Sequence, residues 1–166
     1  MKFPDTRLPI EQQDEDVLLA MLVWGEARGE PPEGRVAVAH VPLTRLKKRN
    51  SVRSSLNRKV TLRSIMLKRW QFSCFNKNDP NRVLLLRPVE AEGLGLWAAC
   101  WRTAVEALMG HSANPAQGAT HYVVRRLWSR PMAVVGRPQW FEHPLTEDGT
   151  TTFIAQVGSH VFARTA

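Results

Sequence analysis

Glu26 is the residue of this sequence whose type and position point most directly to chemistry. It lies in the segment WGEARGE (residues 24–30), at the end of the most apolar run of the chain, residues 17–24. That run predicts a helix, so the Glu26 carboxyl would be partly buried and would face the negative end of the helix dipole. Both effects disfavour the ionised form of a carboxyl group, and general acid catalysis requires the protonated form. The alternative is a solvated carboxylate, or one paired with Arg28 or Arg35.

The element that positions Glu26 is predicted to be a helix over residues 16–28. Asp14 or Asp16 can cap its start, and Gly29 can end it in the left-handed conformation that glycine adopts easily. A second helix would begin at residues 31–32, because proline suits the first turn of a helix.

The following elements are also predicted to be helical. The second helix would continue to Leu46, and Pro42 should kink or shorten it because proline removes a backbone hydrogen bond. Thr61 can cap a short third helix, and the longest helix would run from Pro88 to near Gly110. Its buried face would comprise Leu94, Trp97, Ala98, Trp101, Val105 and Leu108.

The last third of the sequence changes from helical to strand patterns. Residues 119–124, 151–157 and 159–164 each predict a strand, with a turn at Gly158. Together with the helices they predict an α+β domain, in which the helices come first and a small antiparallel sheet flanks the cleft.

The composition is that of one folded domain. The chain has 166 residues, 43% of them hydrophobic, and six Trp, which excludes a disordered protein. No apolar run is long enough to span a bilayer, and residues 1–5 contain no apolar signal-peptide core. We expect a lead-in at residues 1–15, one catalytic domain at residues 16–166, and a monomer.

Positive charge is concentrated in one stretch. The formal net charge is +8, and no acidic residue lies between Glu33 and Asp79. The basic span, defined here as the stretch from Arg35 to Lys77, implies an anionic partner such as nucleic acid, lipopolysaccharide, anionic lipid or the carboxylates of peptidoglycan. The alternative is a solvated face that keeps the protein in solution.

The cysteines and histidines do not form a metal-binding pattern. We expect Cys74 and Cys100 to be free thiols, with a single disulfide as the alternative. His121 and His160 could form a metal pair, but no third ligand motif accompanies them. Hydrogen bonding within the sheet is therefore expected, with no metal and no cofactor.

Five motifs follow one another along the chain: WGEARGE at residues 24–30, GRVAVA at 34–39, QFS at 71–73, GATHY at 118–122 and VGSHVF at 157–162. In this order and spacing, residues 16–163 resemble the SleB-like cell-wall hydrolase family, which includes spore-cortex-lytic enzymes and some phage endolysins. The resemblance implies a lysozyme-like, lytic-transglycosylase-like helical domain with a small antiparallel sheet. It also implies cleavage of peptidoglycan between N-acetylmuramic acid and N-acetylglucosamine, with Glu26 as the catalytic acid.

The sequence departs from the family pattern at three positions. Pro42 and Thr44 stand where the family usually has an aliphatic residue and an Asn before the Arg of the second helix, and Ala163 replaces the aromatic residue that usually ends the last strand. These departures leave the acid unchanged and affect the expected geometry of the second helix.

The resemblance favours a lytic transglycosylase, which needs only one carboxyl group because the sugar's own C6 hydroxyl attacks the anomeric carbon. A hydrolase needs a second carboxyl group. Glu30 and Glu33 are expected to be surface charges at the rim. The acids in loops that could fold over the cleft are Asp79, Glu142 and Asp148.

The candidate substrate-binding residues are Gln71, Ser73, Thr120, His121, Tyr122 and Trp140. Gln71 and Ser73 would hydrogen-bond to sugar hydroxyl and acetamido groups, or they would stabilise their own loop. Thr120 and Tyr122 share one face of a strand, and we expect that face to point at the acid. Trp140 would stack on a sugar ring or pack in the core.

The predicted function is that of a peptidoglycan-degrading enzyme, an endolysin of a phage or prophage. It would be made in the host bacterial cytoplasm without a signal peptide and act on the wall after release. The basic span would bind the anionic cell envelope, and no nucleic acid is expected. Two alternatives stay open: a nucleic-acid-binding protein that uses the basic span, and a structural or virion-associated protein that kept the fold and lost the activity.

Overall fold

Helices occupy the first two thirds of the chain, and strands follow them. The computed structural model describes residues 1–52, 60–128 and 151–165. Its elements are α1 (Glu15–Ala27), α2 (Pro32–Val52), α3 (Leu62–Met66), α4 (Pro88–Glu92), α5 (Leu94–Leu108), β1 (His121–Val124), α6 (Arg125–Trp128), β2 (Thr151–Val157) and β3 (His160–Thr165). Short 3₁₀ helices cover Ile10–Gln12, Ser73–Phe75 and Arg82–Leu86. The predicted α+β class is confirmed.

Helix α1 is the centre of the hydrophobic core. Residues 17–24 are each no more than 2% exposed, and the helix packs mainly against α5 and α2. Asp14 occupies the N-cap position, but its side chain makes no capping hydrogen bond and instead pairs with Lys2 at 2.9 Å. The Asp16 carboxylate accepts a hydrogen bond from the backbone N–H of Val17 at 2.9 Å. The predicted cap by Asp14 is therefore wrong.

Helix α1 ends without a left-handed glycine. Gly29 has no positive φ, so the predicted glycine cap is also wrong. The Glu30 N–H donates to the Ala27 carbonyl at 3.0 Å, which tightens the last turn. Pro31 follows, and a proline disfavours the helical conformation in the residue before it.

Two helix predictions along the chain need correction. Helix α2 continues through Pro42 to Val52, so the proline does not shorten it. The long helix expected from Pro88 is divided at Gly93, where φ is 88°. On α5 the buried residues are Trp97, Cys100, Thr103, Ala104 and Ala107, whereas Leu94 is 52% exposed. No helix in the described ranges is long and apolar enough to cross a membrane.

The short helix α3 starts as predicted. The Thr61 side chain accepts a hydrogen bond from the backbone N–H of Ser64, and the Ser64 hydroxyl accepts one from the backbone N–H of Thr61. This reciprocal pair satisfies donors that a helix start leaves unpaired. It fixes the beginning of the segment that leads into the QFS loop, defined here as residues 71–75.

The sheet has β3 in its centre, antiparallel to β1 on one side and to β2 on the other. Strand β2 covers the predicted residues, while β1 begins at His121 and β3 at His160. The turn between β2 and β3 contains Gly158 with φ of 58°. The register sets Tyr122 of β1 opposite Phe162 of β3, and this places the Tyr122 ring beside the end of α1.

Candidate active site

Glu26 lies on the last turn of α1 and accepts three hydrogen bonds from two other parts of the fold. Its Oε1 accepts from the Ser73 hydroxyl at 2.9 Å and from the Cys74 backbone N–H at 2.8 Å. Its Oε2 accepts from the Tyr122 hydroxyl at 3.0 Å. The half-buried carboxyl is therefore held in one orientation by the QFS loop and strand β1.

Gly25 allows the QFS loop to approach α1 closely enough for these contacts. A Cβ atom at Gly25 would lie 2.5 Å from the Cβ of Cys74, 2.9 Å from its Sγ, and 3.1 Å from the Leu85 side chain. Both neighbours are buried, so neither can move aside easily. The glycine before Glu26 is thus a packing requirement of the site.

Gly25→Ala is expected to lower both stability and activity, although alanine is the better helix former by about 1 kcal/mol. Overpacking against Cys74 should cost about 1–3 kcal/mol, and it displaces a donor of Glu26. Gly29→Ala is the matched control, because no atom lies within 4 Å of its Cβ position, and it should leave stability unchanged or slightly raised. Thermal unfolding and peptidoglycan cleavage of both variants test this, and equal behaviour of the two would contradict it.

Tyr122 and Cys74 both remain protonated beside the acid. Burial, followed by the Glu26 carboxylate, raises the pKa of the Tyr122 phenol well above its usual value, so the hydroxyl stays a donor. Burial and the same carboxylate raise the pKa of the Cys74 thiol, which excludes a thiolate nucleophile near neutral pH. Cys74 and Cys100 are both buried and free, as expected.

Arg45 joins the second helix to both donor segments, a role that the sequence did not predict. Its guanidinium donates to the Thr120 carbonyl at 2.5 Å and to Gln71 Oε1 at 3.0 Å, and it lies 4.9 Å from the centre of the Phe72 ring. Burial lowers the pKa of Arg45 to about 10, so it stays a cation at neutral pH. Arg45 therefore positions the QFS loop and the start of β1.

The other predicted binding residues are brought to the site to different degrees. Ser73 and Tyr122 contact Glu26 directly, whereas Gln71 contacts Arg45. The Thr120 hydroxyl lies 2.9 Å from His121 Nδ1. Burial, followed by the charges of Arg45 and Lys48, lowers the pKa of His121 to about 3, so its imidazole is neutral. Trp140 lies outside the described residues.

The fold and this geometry can be compared with known proteins. A family model described as Cell Wall Hydrolase matches residues 29–163, which is most of the chain. The chain belongs to the Cell Wall Hydrolase family. The resemblance seen in the sequence is thereby confirmed. The match begins at Gly29 and ends at Ala163, so it covers the QFS loop, β1, β2 and most of β3, while Glu26 lies just ahead of it.

Two solved structures have the same fold as this member of the Cell Wall Hydrolase family. One is the catalytic domain of the germination-specific lytic transglycosylase SleB from Bacillus anthracis, with 21% identity and a TM-score of 0.53 over 95% of this chain and 100% of that one. The other is the catalytic domain of the SleB protein of Bacillus cereus, with 22% identity and a TM-score of 0.53 over 96% and 98% of the two chains. No curated protein matches the chain in sequence.

Glu30 of this Cell Wall Hydrolase family member is not the solvent-facing residue that the sequence predicted. Its side chain is 10% exposed, and it accepts hydrogen bonds from the Ser159 hydroxyl and, at 2.8 Å, from the Ser159 backbone N–H. His160 Nδ1 lies 3.5 Å away. Gly34 and Gly158 leave the space that this side chain fills. Glu30 thus fastens the β2–β3 turn to the segment after α1.

The charges around Glu30 follow from these contacts. Burial acts to raise the pKa of the Glu30 carboxyl, but the hydrogen bonds from Ser159 and the neighbouring His160 outweigh it, so the pKa lies below its usual value. Burial lowers the pKa of His160 despite the opposing effect of Glu30 and Glu26. Because a neutral imidazole carries no charge, we assign the lowered pKa of Glu30 mainly to Ser159.

Glu30→Gln is expected to destabilise the fold by about 1.5–3 kcal/mol near pH 7, the range for hydrogen bonds to a charged group. Because the folded pKa of Glu30 lies below its ordinary value of 4.5, this contribution is complete above that pH and is lost as the pH falls through the folded pKa. Urea unfolding of wild type and variant at neutral and acidic pH measures it. Glu33→Gln, at an exposed position, is the control, and a pH-independent difference would contradict the assignment.

The remaining charged candidates have other partners or lie elsewhere. Arg28 donates to Asn81 Oδ1 at 3.0 Å, and Arg35 donates to the Glu30 carbonyl at 2.7 Å, so the suggested pairing of either arginine with Glu26 is replaced by these contacts. Asp79 is half-buried and accepts from the Asn81 N–H at 2.8 Å. The loop acids Glu142 and Asp148 lie outside the described residues. Within residues 1–52, 60–128 and 151–165, no three His, Cys, Asp or Glu side chains are grouped to hold a metal ion.

Proposed function

We propose that this chain is a peptidoglycan lytic transglycosylase that uses Glu26 as its catalytic acid. The observation that carries the proposal is the half-buried carboxyl at the end of α1 with donors directed at both of its oxygens. Membership of the Cell Wall Hydrolase family supports peptidoglycan as the substrate. The proposed scissile bond joins N-acetylmuramic acid to N-acetylglucosamine.

The two oxygens of Glu26 are suited to different tasks. Oε1 accepts two hydrogen bonds, which fill its two lone pairs, while Oε2 accepts one, from Tyr122. Oε2 is therefore the oxygen that would carry the transferable proton. Ser73 and the Cys74 N–H would hold the carboxyl in place during the transfer, and this type of positioning makes proton transfer effective.

The proposed reaction needs no activated water. Glu26 gives its proton to the glycosidic oxygen as the bond from that oxygen to the anomeric carbon breaks. The sugar's C6 hydroxyl then attacks the anomeric carbon, and its proton returns to the Glu26 carboxylate. The new bond closes a 1,6-anhydro ring, so the acid is regenerated without any other reactant.

Release of soluble muropeptides from purified peptidoglycan tests the function directly. The wild-type chain should clear a suspension of the purified wall and release fragments that contain both sugars. Clearing without fragments from the glycan, or binding to nucleic acid without any clearing, would refute the proposal. The nucleic-acid alternative is weakened by the structure's use of Arg35, Arg45 and Arg63 for contacts inside the protein.

For the cell envelope, we propose that one group of exposed cations within the basic span provides the anchor. Three of the span's arginines make contacts inside the protein. Among the residues of the span that the structure describes, the exposed cations form two groups, one at Lys47, Lys48 and Arg49 on α2, the other at Lys68, Arg69 and Lys77. A cation group attracts an anionic surface from about 10 Å at 0.1 M salt. The first group is proposed to serve encounter with the envelope.

Reversal of Lys47, Lys48 and Arg49 to Glu is expected to weaken binding to intact envelopes at low salt and to leave cleavage of short soluble glycans nearly unchanged. The reason is that long-range attraction acts mainly on the highly charged envelope and is screened by salt, whereas a short glycan carries few charges. Cosedimentation at low and high salt measures the binding, with Arg102→Glu on the exposed face of α5 as the control. Equal losses on envelopes and soluble glycans would mean that these residues shape the site instead.

The biological setting that we propose is lysis by a phage or prophage endolysin, made in the bacterial cytoplasm and acting as a monomer. The net charge of +8, suited to an anionic envelope, supports it. Expression in a bacterial cytoplasm with and without a membrane-permeabilising holin tests it. We expect lysis only when the holin is present. Survival of cells that express both this protein and the holin would refute the endolysin role.

A further inference from the structure

A cleft lies on the protein beside the QFS loop, and no part of the proposed reaction uses it. Its volume is about 650 Å³, within the range of about 300–1,000 Å³ for ligand sites. It is formed by the segment after α3 and by the turn that follows the Ser73–Phe75 helix. The side chains that matter for its chemistry are Lys68, Arg69, Trp70 and Lys77.

Trp70 has an unusual backbone conformation and is exposed. Its φ is 66°, in the left-handed region that a bulky residue rarely adopts, and the residue is 60% exposed. The backbone N–H donates to Asn76 Oδ1 at 3.2 Å, and the Arg69 guanidinium lies 4.9 Å from the ring centre. Strained residues of this kind cluster at ligand sites, where the fold maintains them for function. The strain presents an indole ring to the cleft.

The cleft carries excess positive charge. Lys68, Arg69 and Lys77 are all exposed. Among the described residues that line the cleft, the acidic one is Glu11. It forms an ion pair with Arg82 at 2.6 Å. Its charge is thereby compensated, and the three cations can attract an anion.

The cleft is close to Glu26 along the chain. Trp70 precedes Ser73, whose hydroxyl contacts Glu26, and three residues of chain span at most about 11 Å. A substrate strand held at Glu26 could therefore place a side branch in the cleft. In peptidoglycan the lactyl carboxylate of the muramic acid is joined to the peptide, so the free carboxylates belong to the stem peptides.

We propose that this cleft binds the acidic stem peptide carried by the glycan strand that Glu26 cleaves. Lys68, Arg69 and Lys77 pair with the peptide carboxylates, and the Trp70 ring packs on the aliphatic part of the peptide. The proposal rests on the proposed function, since it places both sites on one substrate. It makes the protein selective for peptide-bearing glycan over bare glycan.

Turnover on two forms of the same glycan provides the first test. One form is intact peptidoglycan, and the other is the same material after an amidase has removed the stem peptides. Trp70→Gly and the double variant Lys68→Ser, Lys77→Ser should each lower kcat/KM on the peptide-bearing form by about tenfold, which corresponds to about 1.4 kcal/mol. On bare glycan they should match the wild type. Arg102→Ser and Met109→Ala, at exposed positions of α5 and just after it, are the matched controls.

Trp70→Gly also separates a loss of peptide binding from a loss of folding. Glycine adopts a positive φ without strain, so this variant should unfold at the same temperature as the wild type or above it. Equal losses of turnover on both forms of glycan would mean that Trp70 only supports the QFS loop, and would overturn the proposal.

Binding without turnover provides the second test. The probe is alanyl-γ-D-glutamyl-meso-diaminopimelate acetylated at its N-terminus, added to the wild-type chain with ¹⁵N-labelled tryptophan. The Trp70 indole resonance, assigned from Trp70→Gly, should shift with the probe and lose that shift at high salt. A shift caused equally by a neutral chitooligosaccharide, or by a short DNA duplex in place of the peptide, would overturn the choice of ligand.

The two proposals fail in different ways. A Trp70 shift with the peptide in a protein that cleaves neither glycan would remove the proposed function and leave the peptide site. Cleavage of both glycans at rates that the cleft variants do not change would remove the peptide site and leave the function.

Discussion

Glu26→Gln is expected to abolish glycan cleavage while the protein stays folded. The amide cannot give a proton to the glycosidic oxygen, and general acid catalysis alone contributes about 10²–10⁴-fold to a rate. Loss of the same group as the acceptor of the C6 hydroxyl proton adds to the effect. Turnover of purified peptidoglycan should therefore fall to the background of the assay.

The fold should tolerate this change because the amide oxygen can still accept from the Ser73 hydroxyl and the Cys74 N–H, the two donors now directed at Oε1. We expect the free energy of unfolding to change by no more than about 1–2 kcal/mol. Circular dichroism and urea unfolding measure it beside the lysis assay. Glu33→Gln is the matched control at an exposed position. A folded Glu26→Gln protein that cleaves at the wild-type rate would remove Glu26 from the mechanism.

The parts of this site that follow from local sequence were predictable. Helix α1 is buried along residues 17–24, and this apolar run placed Glu26 on its last turn. The capping pair at Thr61 and the turn at Gly158 are likewise fixed by residues close in sequence. These features depend on backbone propensity and short-range hydrogen bonds, which a single sequence displays.

The contacts that surround Glu26 followed only in part from local pattern. Its donors lie 47, 48 and 96 positions away along the chain, and one of them is a backbone N–H that no side-chain motif marks. Strand alternation predicted that the face with Tyr122 would point at the acid, whereas Ser73 was predicted to bind sugar groups or to stabilise its own loop. Nothing in the sequence indicated that Arg45 would donate to the Thr120 carbonyl and to Gln71.

Two errors in the prediction have identifiable physical origins. Gly93 stands inside an apolar helical pattern, and its φ of 88° divides a helix that periodicity alone would continue. Glu30 precedes two prolines, which suggested an exposed turn, yet Ser159 reaches it from a hairpin 129 positions later. One backbone angle at Gly93 and one tertiary contact at Glu30 outweighed local preference.

The products of cleavage should carry 1,6-anhydro-N-acetylmuramic acid ends in place of reducing ends. This outcome is expected because hydrolysis needs a second carboxyl group about 5–10 Å from the first, to attack the sugar or to activate water. The nearest acid by sequence, Glu30, is held by the hydroxyl and the N–H of Ser159. Glu33 is exposed on the first turn of α2.

Mass spectrometry of the digest distinguishes the two routes, since an anhydro product is lighter than the hydrolysed one by one water. Digestion in H₂¹⁸O adds an independent reading, because hydrolysis introduces the label at the new end and the intramolecular route does not. Labelled reducing ends alone would refute the single-acid mechanism. Glu30→Gln and Asp79→Asn would then be the first variants to make. The Glu30 carboxyl is linked to the site through His160, whose ring meets the Tyr122 ring edge-on at 5.2 Å, and Asp79 contributes to the electrostatics of Cys74 beside Glu26.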